Sequence, residues 1–412
     1  MLTELFPRAN GRFSSLPLLG SVADDFTRWL FQRSYTRVSV RRHVRCIHRI
    51  DHALRQRGVR QLTEVTPQAL RACLPAASTD HVFAAALRCW SQYLEKRGFV
   101  APPPKPTSRS RTLLDAYAAY LRDVRGFGAL TVAAHMRSSA ELLQHLDYEA
   151  TPLRLRALSA QDLENFLHLV GRRLTRATLQ HVIAHVRGFL RFLGGRGDLR
   201  PGLETQIDTP RVYRLEQLPR AMPWKSVQKF LQSIDRRRRT GPRDYAIFLL
   251  IATYGLRAGE IAALSLDDVE WRAERIRIFP RKGGTPLLLP LTDEVGAALT
   301  AYLRRARPDL ACRDVFLRCR APAGAIKATA VTSAFRLWFR RSGLKVSAHG
   351  PHCLRHSYAA HLLRQGVPLK TLGDILGHRS AEATCMYLRL SLEDLRDVAL
   401  PLPSPESREV EP

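Results

Sequence analysis

His352, Arg355 and His356 stand three and four positions apart in the run His352-Cys353-Leu354-Arg355-His356, and a helix would bring them to one face. A guanidinium between two imidazoles repels a cation and welcomes an anion, so the group suits a phosphate better than a metal. Arg355 can grip two phosphate oxygens at once, while an imidazole titrates near neutral pH and can donate to a third oxygen or carry a proton. Downstream come Leu376-Gly377-His378 and then the lone Tyr387, whose phenol is a candidate nucleophile. Each residue alone has an ordinary explanation as a solvated or structural side chain on an amphipathic helix. Together they point to phosphoryl transfer.

A second arginine group lies upstream. A nearly all-apolar run, Arg243 to Tyr254, reads as a buried helix that leads directly into Gly255-Leu256-Arg257-Ala258-Gly259-Glu260. Arg257 and Glu260, three apart, read either as an ordinary surface ion pair or as a phosphate-binding arginine held in orientation by a carboxylate. Beyond it, residues 269–281 alternate apolar and polar as a strand does. Lys282-Gly283-Gly284-Thr285 makes a turn, and Leu287 to Leu291 returns as the partner strand. A hairpin lysine is ordinarily solvated, but Lys282 could also reach into a cleft.

The rest of the chain indicates the substrate. The formal net charge is +28 over 412 residues, and arginine outnumbers lysine. Such an excess calls for a polyanionic partner, and nucleic acid fits bidentate arginine contacts. A signal peptide, an amphipathic anchor and a bilayer-spanning apolar run are not seen, so a cytoplasmic, nucleoid-associated location of bacterial type is expected, with no membrane partner. The seven cysteines form no CxxC pair and suit reduced, mostly packed thiols in a reducing compartment. No Walker loop or Rossmann glycine pattern is present, and no cofactor is expected.

Several elements must position these groups. Residues 1–20 read as an irregular arm. Residues 21–100 have helical apolar spacing at Phe26, Leu30, Val40, Val44, Ile47, Ile50, Trp90 and Leu94. Basic residues crowd the outer faces, and Arg37, Arg41, Arg42 and Arg45 are candidate DNA contacts. Residues 101–110 form a proline-rich linker, after which the pattern begins again over 111–197. Ser159 echoes Thr66 as a helix cap, the segment 186–192 echoes 87–94, and Arg137 and Arg187 are further candidate contacts. A second linker covers 198–222, a catalytic domain 223–400, and a Pro-rich, acidic tail 401–412 is expected to be disordered.

The residues from about Pro223 to Leu400 resemble the catalytic domain of the tyrosine recombinases, the integrase family. The first arginine box around Arg257, the Lys282 turn, the second box at His352 to His356, the Leu376-Gly377-His378 group and Tyr387 follow in family order. Residues 113–196 are similar to the family's core-binding domain. The resemblance implies a mainly α fold with a small antiparallel sheet in the C-terminal domain, preceded by two SAM-like helical DNA-binding domains, the first an addition to the usual layout.

It also implies a site-specific recombinase that needs no metal or ATP. Tyr387 would attack a DNA phosphate to give a 3′-phosphotyrosine, Arg257 and Arg355 would clamp its oxygens, and Lys282 would protonate the leaving oxygen. His352 and His378 would donate hydrogen bonds and move protons, with Glu260 and His356 in support. Partners implied are paired DNA sites, a homotetramer exchanging a C-terminal helix from about Leu392 to Ala399, and accessory bending or directionality proteins. A catalytically inactive DNA-binding accessory protein and a type IB topoisomerase are the alternatives.

Overall fold

The computed structural model describes residues 1–74, 79–100, 108–212, 220–279, 286–346, 350–377, 380 and 382–388. They fall into two compact units, one holding the residues before 102 and after 216, the other those between. No helix among the described residues is long and apolar enough to cross a membrane. Lys282, His378, residues 392–399 and the tail 401–412 lie outside the described residues.

The first bundle is built from Ala23–Gln32 (α1), Arg37–Arg45 (α2), Ile47–Arg55 (α3) and His81–Lys96 (α4). Its apolar stripe buries Phe26, Leu30, Val40, Val44, Ile47, Ile50, Trp90 and Leu94, with the Phe26 and Trp90 rings stacked at 3.7 Å. Each such side chain contributes about 2 kcal/mol of burial. Thr66 caps the short helix Pro67–Ala72 by accepting the Ala69 N–H, and Pro67 sits where its missing N–H costs nothing.

Residues 1–20 are not the irregular arm expected. They form helical turns at Leu2–Leu5 and Gly11–Ser14, and Leu2, Leu5, Phe6, Phe13 and Leu18 are buried in the same core. Buried Asp51 accepts the N–H groups of Leu18 and Leu19 at 3.0 and 2.8 Å, fixing the chain's entry to the bundle. The bundle shares its unit with the C-terminal elements, and the Ala323 N–H donates to the Arg33 carbonyl at 3.3 Å.

The second unit is built from Arg109–Asp123 (α5), Ala129–His145 (α6), Ala160–Gly171 (α7) and Arg176–Gly195 (α8). Ser159 caps α7 through the Asp162 N–H, while the Asp162 carboxylate accepts from the Ser159 N–H. The expected linker from residue 198 partly belongs to this core, because Leu199 and Ile207 are buried in it and Gln180 donates to the Pro210 carbonyl.

A polar network also sits in this core. Tyr117 Oη and His135 Nδ1 lie 2.9 Å apart, Ser138 Oγ and His185 Nδ1 3.0 Å apart, and the two imidazoles 4.3 Å apart. Burial first, then His185 and Arg125, push His135 down to about 4 from 6.5. The folded state therefore disfavours the imidazolium. Its contribution is complete above pH 6.5 and is lost as the pH falls from 6.5 toward 4. Hydrogen exchange across residues 108–212, followed from pH 7 to 4, should show this unit loosening, and His135→Gln should remove part of that dependence. Equal pH dependence in both proteins would exclude His135 as the source.

The C-terminal elements surround Gly241–Tyr254 (α10), which is apolar on nearly every side and buried through Ala246, Ile247, Phe248, Leu249 and Leu250. Against it pack Trp224–Gln232 (α9), Asp293–Arg305 (α12), Ala328–Ser342 (α13) and His352–Arg364 (α14). Buried Asp244 accepts from Arg243 at 2.7 Å and from Trp338 Nε1 at 2.9 Å, so one oxygen is paired with a guanidinium and the other is hydrogen-bonded by an indole. The helix Ala258–Ala263 (α11) follows α10, and Leu369–Leu376 (α15) follows α14.

The sheet departs from the expected single long strand. Val269–Glu270 (β1) is followed by a turn at Trp271–Ala273 and by Glu274 at φ +49°, which reverses the chain into Arg275–Ile278 (β2). β2 then pairs antiparallel with Leu287–Pro290 (β3), Ile276 opposite Leu289, and these two with Ile278 face the core. The register brings Ile278 opposite Leu287.

Candidate active site

The site begins where α10 ends. Gly255 takes the left-handed conformation at φ +65°, and a Cβ there would lie 2.8 Å from both Leu376 Cδ2 and Tyr358 Cδ1. Only glycine satisfies both the backbone and the close approach. Gly255→Ala should therefore lower stability by about 2–4 kcal/mol, combining left-handed strain with overpacking. Urea unfolding would measure it, and a change below about 0.5 kcal/mol would mean the turn relaxes freely.

Two residues later the chain becomes extended at Arg257, the N-cap of α11. Glu260 Oε2 accepts the Arg257 N–H and Oε1 accepts from its guanidinium, both at 2.8 Å, while the Glu260 side chain is buried. The carboxylate thus caps a helix and aims an arginine. The Arg257 side chain keeps 39% exposure, leaving donors available to an incoming anion.

α14 supplies the second group. Arg355 is 4% exposed and donates to the Gly255 carbonyl at 2.5 Å and to the Leu376 carbonyl at 2.6 Å. It ties the turn after α10 to the end of α15. The next residue, Gly377, is left-handed at φ +60°, and its carbonyl accepts from Arg257 at 3.4 Å. Both arginine boxes and the glycine preceding His378 are therefore joined through backbone carbonyls. Burial, then the neighbouring Arg257, push Arg355 down to about 10, so it remains a cation at neutral pH. Two guanidiniums facing one carboxylate leave a net positive site.

His352 is held below the usual imidazole range by burial, then by Arg355 and Arg257, with Glu260 opposing. It is neutral at pH 7 and can accept a proton. His356 lies beside it, the ring centres 5.9 Å apart. Tyr387 Oη is 3.0 Å from His356 Nδ1, and the Tyr387 side chain is buried. Burial raises the phenol above its ordinary value of 10, and Arg355 and Arg257 pull against that rise. The hydroxyl is thus protonated at neutral pH, beside an imidazole and within the field of two arginines.

The structure brings together Arg257, Glu260, His352, Arg355, His356 and Tyr387. His356, expected only in support, is an imidazole in contact with the phenol. Sequence reasoning missed Ser357, whose Oγ accepts the Met222 N–H at 2.7 Å and donates to the Cys353 carbonyl at 2.8 Å, pinning the incoming chain to α14. Its signal, a hydroxyl beside the second arginine box, is too common to stand out.

The candidate DNA contacts differ among themselves. Arg42 and Arg45 are exposed on α2, and Arg137 on α6. Arg37 donates to the Glu4 carbonyl at 2.6 Å and Arg41 lies 5.3 Å from the Phe6 ring, so both also hold the N-terminal turns. Arg187 is half-buried and donates to the Ile207 carbonyl, which commits part of its fork to the fold.

Residues 220–393 match the family model described as Phage integrase family, and residues 114–197 match Phage integrase, N-terminal SAM-like domain. The putative integrase/recombinase y4rA of Sinorhizobium fredii is 32% identical over 388 residues, covering 92% of this chain and 93% of that protein. The chain belongs to the phage integrase family. It is a tyrosine-type site-specific recombinase, mainly helical with a small antiparallel sheet, as the sequence led one to expect. Tyrosine recombinase XerD of Mycobacterium tuberculosis is 28% identical over 302 residues, covering 69% of this chain and 95% of that one. Among solved structures, a lambda integrase dimer bound to a COC′ core site has a TM-score of 0.53 at 16% identity, covering 72% of this recombinase and 99% of that chain. A post-cleavage complex of XerH on a palindromic difH substrate has a TM-score of 0.54 at 17% identity, covering 85% and 94%. These two likenesses concern the fold.

Proposed function

We propose that this recombinase cleaves and rejoins double-stranded DNA at paired sites through a covalent bond from Tyr387 to a 3′-phosphate. The observation that carries the reading is the Tyr387 hydroxyl, 3.0 Å from His356 Nδ1 and within the field of Arg355 and Arg257. Those arginines hold the non-bridging oxygens, where charge grows as the phenol oxygen attacks. One such preorganised donor lowers the barrier by about 3 kcal/mol. The phenol loses its proton to an imidazole as the O–P bond forms, and the bond to the 5′-oxygen breaks. In this reading Lys282 protonates that leaving oxygen, while His378 and His352 hydrogen-bond the phosphate. Attack by the 5′-hydroxyl of another strand reverses the step and restores the phenol. The phosphodiester energy is conserved, so the chemistry asks for no ATP and no metal.

Residues 21–100 and 111–197 are proposed as the DNA-binding domains, the +28 net charge supporting phosphate contacts along a duplex. One solved relative is titled as a lambda integrase tetramer bound to a Holliday junction, at a TM-score of 0.54 and 15% identity. A homotetramer that exchanges C-terminal helices on paired sites, acting where chromosomal DNA lies in the bacterial cytoplasm with accessory proteins setting direction, is the corresponding assembly. Integration, excision or resolution of a mobile element is its use.

Covalent trapping on nicked duplexes drawn from the DNA flanking the gene tests the reading. A protein–DNA band stable on a denaturing gel, with the DNA attached to the peptide containing Tyr387, is expected. Tight, salt-sensitive binding that never yields a band would favour a DNA-binding protein without catalysis. Plasmid relaxation with no recombinant product would favour a topoisomerase.

A further inference from the structure

The other end of α10 carries a feature that the recombination chemistry does not use. Arg236, Arg237, Arg238 and Arg239 occupy the turn before α10 and face α12 across a cavity of about 770 Å³. Arg305 and Arg307 also line it, against the single carboxylate of Glu294. Since α10 has 14 residues, this cavity lies about 20 Å from the Gly255 turn, at the opposite end of the helix.

The arginine run is shaped by its turn. The Arg238 N–H donates to the Asp235 carbonyl at 3.2 Å, the Gly241 N–H to the Arg238 carbonyl at 2.9 Å, and the Arg237 N–H to Asp235 Oδ1 at 3.0 Å. A Cβ on Gly241 would collide with the Asp235 carbonyl, so the turn closes tightly only with glycine there. Arg236 lies 4.7 Å from the centre of the Tyr245 ring, and the Tyr245 hydroxyl donates to Glu294 Oε1 at 3.1 Å. Arg238 pairs with Asp235, and Arg307 is taken up by the Cys312, Asp314 and Val315 carbonyls. Arg237, Arg239 and Arg305 pair with no carboxylate among the described residues. Ala297, Ala298 and Ala301 make the floor small and apolar.

We propose that this cavity is a second phosphate-binding site, remote from the cleavage site, that takes a cluster of phosphates on Arg237, Arg239 and Arg305. Guanidiniums that lack a carboxylate and converge on one cavity match the bidentate geometry of phosphate oxygens, and its size falls within the range of small-ligand sites. Such phosphates come either from a free polyphosphate-bearing molecule or from a DNA segment beyond the duplex held at the cleavage site.

The test uses the full chain and the triple variant Arg237→Ala, Arg239→Ala, Arg305→Ala. Calorimetric titration with inorganic tripolyphosphate, at the cavity's expected one-to-one ratio, should show binding that the variant weakens at least tenfold. Salt-dependent binding to a short core duplex and to a longer one separates the sources. A slope reduced by about 2–3 on the longer duplex alone assigns the phosphates to flanking DNA. An unchanged slope with tripolyphosphate binding lost assigns them to a free ligand. Identical behaviour of both proteins in every titration would overturn the proposal, as would uptake of a polyglutamate peptide without tripolyphosphate, which would make the cavity a dock for an acidic protein segment. Covalent trapping on the core duplex should be the same in the variant as in the wild type, which establishes that it folds and separates this proposal from the assignment of Tyr387.

Discussion

Tyr387→Phe should reduce covalent adduct formation on a nicked duplex by more than about 10³-fold while leaving equilibrium DNA affinity within roughly twofold of wild type. The substitution deletes one oxygen and keeps the ring that is buried with Ala359, Leu372 and Leu376. The fold therefore stays intact. What is lost is the only atom of this side chain able to bond phosphorus, together with its 3.0 Å contact to His356 Nδ1. Because burial keeps the phenol protonated at neutral pH, the oxygen must shed its proton during attack, and a phenyl ring offers nothing to replace it. Denaturing gels give the adduct yield and mobility shifts the affinity. An adduct formed by the variant at full rate would remove Tyr387 as the nucleophile. Loss of affinity alongside loss of adduct would instead place the hydroxyl in DNA binding.

How far the site could be read in the sequence depends on the range of each interaction. The spacing of His352, Arg355 and His356 was legible because helical geometry is local, and so were the caps at Thr66 and Ser159. The Arg257–Glu260 pair was legible for the same reason, although its choice between surface pair and oriented arginine needed the burial of Glu260 to decide it. By contrast, Arg355 binds the carbonyls of Gly255 and Leu376, and every residue of the chain carries the same acceptor. No side-chain pattern marks such a partner. The contact of His356 with Tyr387 spans 31 positions, so the imidazole was read as a supporting group only. The N-terminal turns escaped notice because four-residue helices show no helical period, and the break at Glu274 because a non-glycine residue at positive φ carries little signal.

That double use of backbone carbonyls gives the two arginines different expected phenotypes. Arg355→Ala should lose cleavage by about 10²–10³-fold and also lower the melting temperature of the unit by roughly 5–15 °C. The second effect follows from the two carbonyls it leaves behind, each buried and unpaired at a cost of about 1–3 kcal/mol. Arg355→Lys should be nearly as poor a catalyst, since one ammonium cannot reproduce a fork that reaches Gly255 and Leu376 together. Arg257→Ala should lose a similar factor in cleavage but melt within a few degrees of wild type. Its side chain is 39% exposed, and the backbone N–H of residue 257 still donates to Glu260 in the variant. Thermal unfolding beside single-turnover cleavage reads both axes for all three variants. If Arg355→Ala melts like the wild type, the guanidinium does not hold the turn and the end of α15 together, and its burial must be explained by the phosphate alone. If Arg257→Ala cleaves at the wild-type rate, the exposed arginine is a surface ion pair after all, and the site binds its phosphate through Arg355 without it.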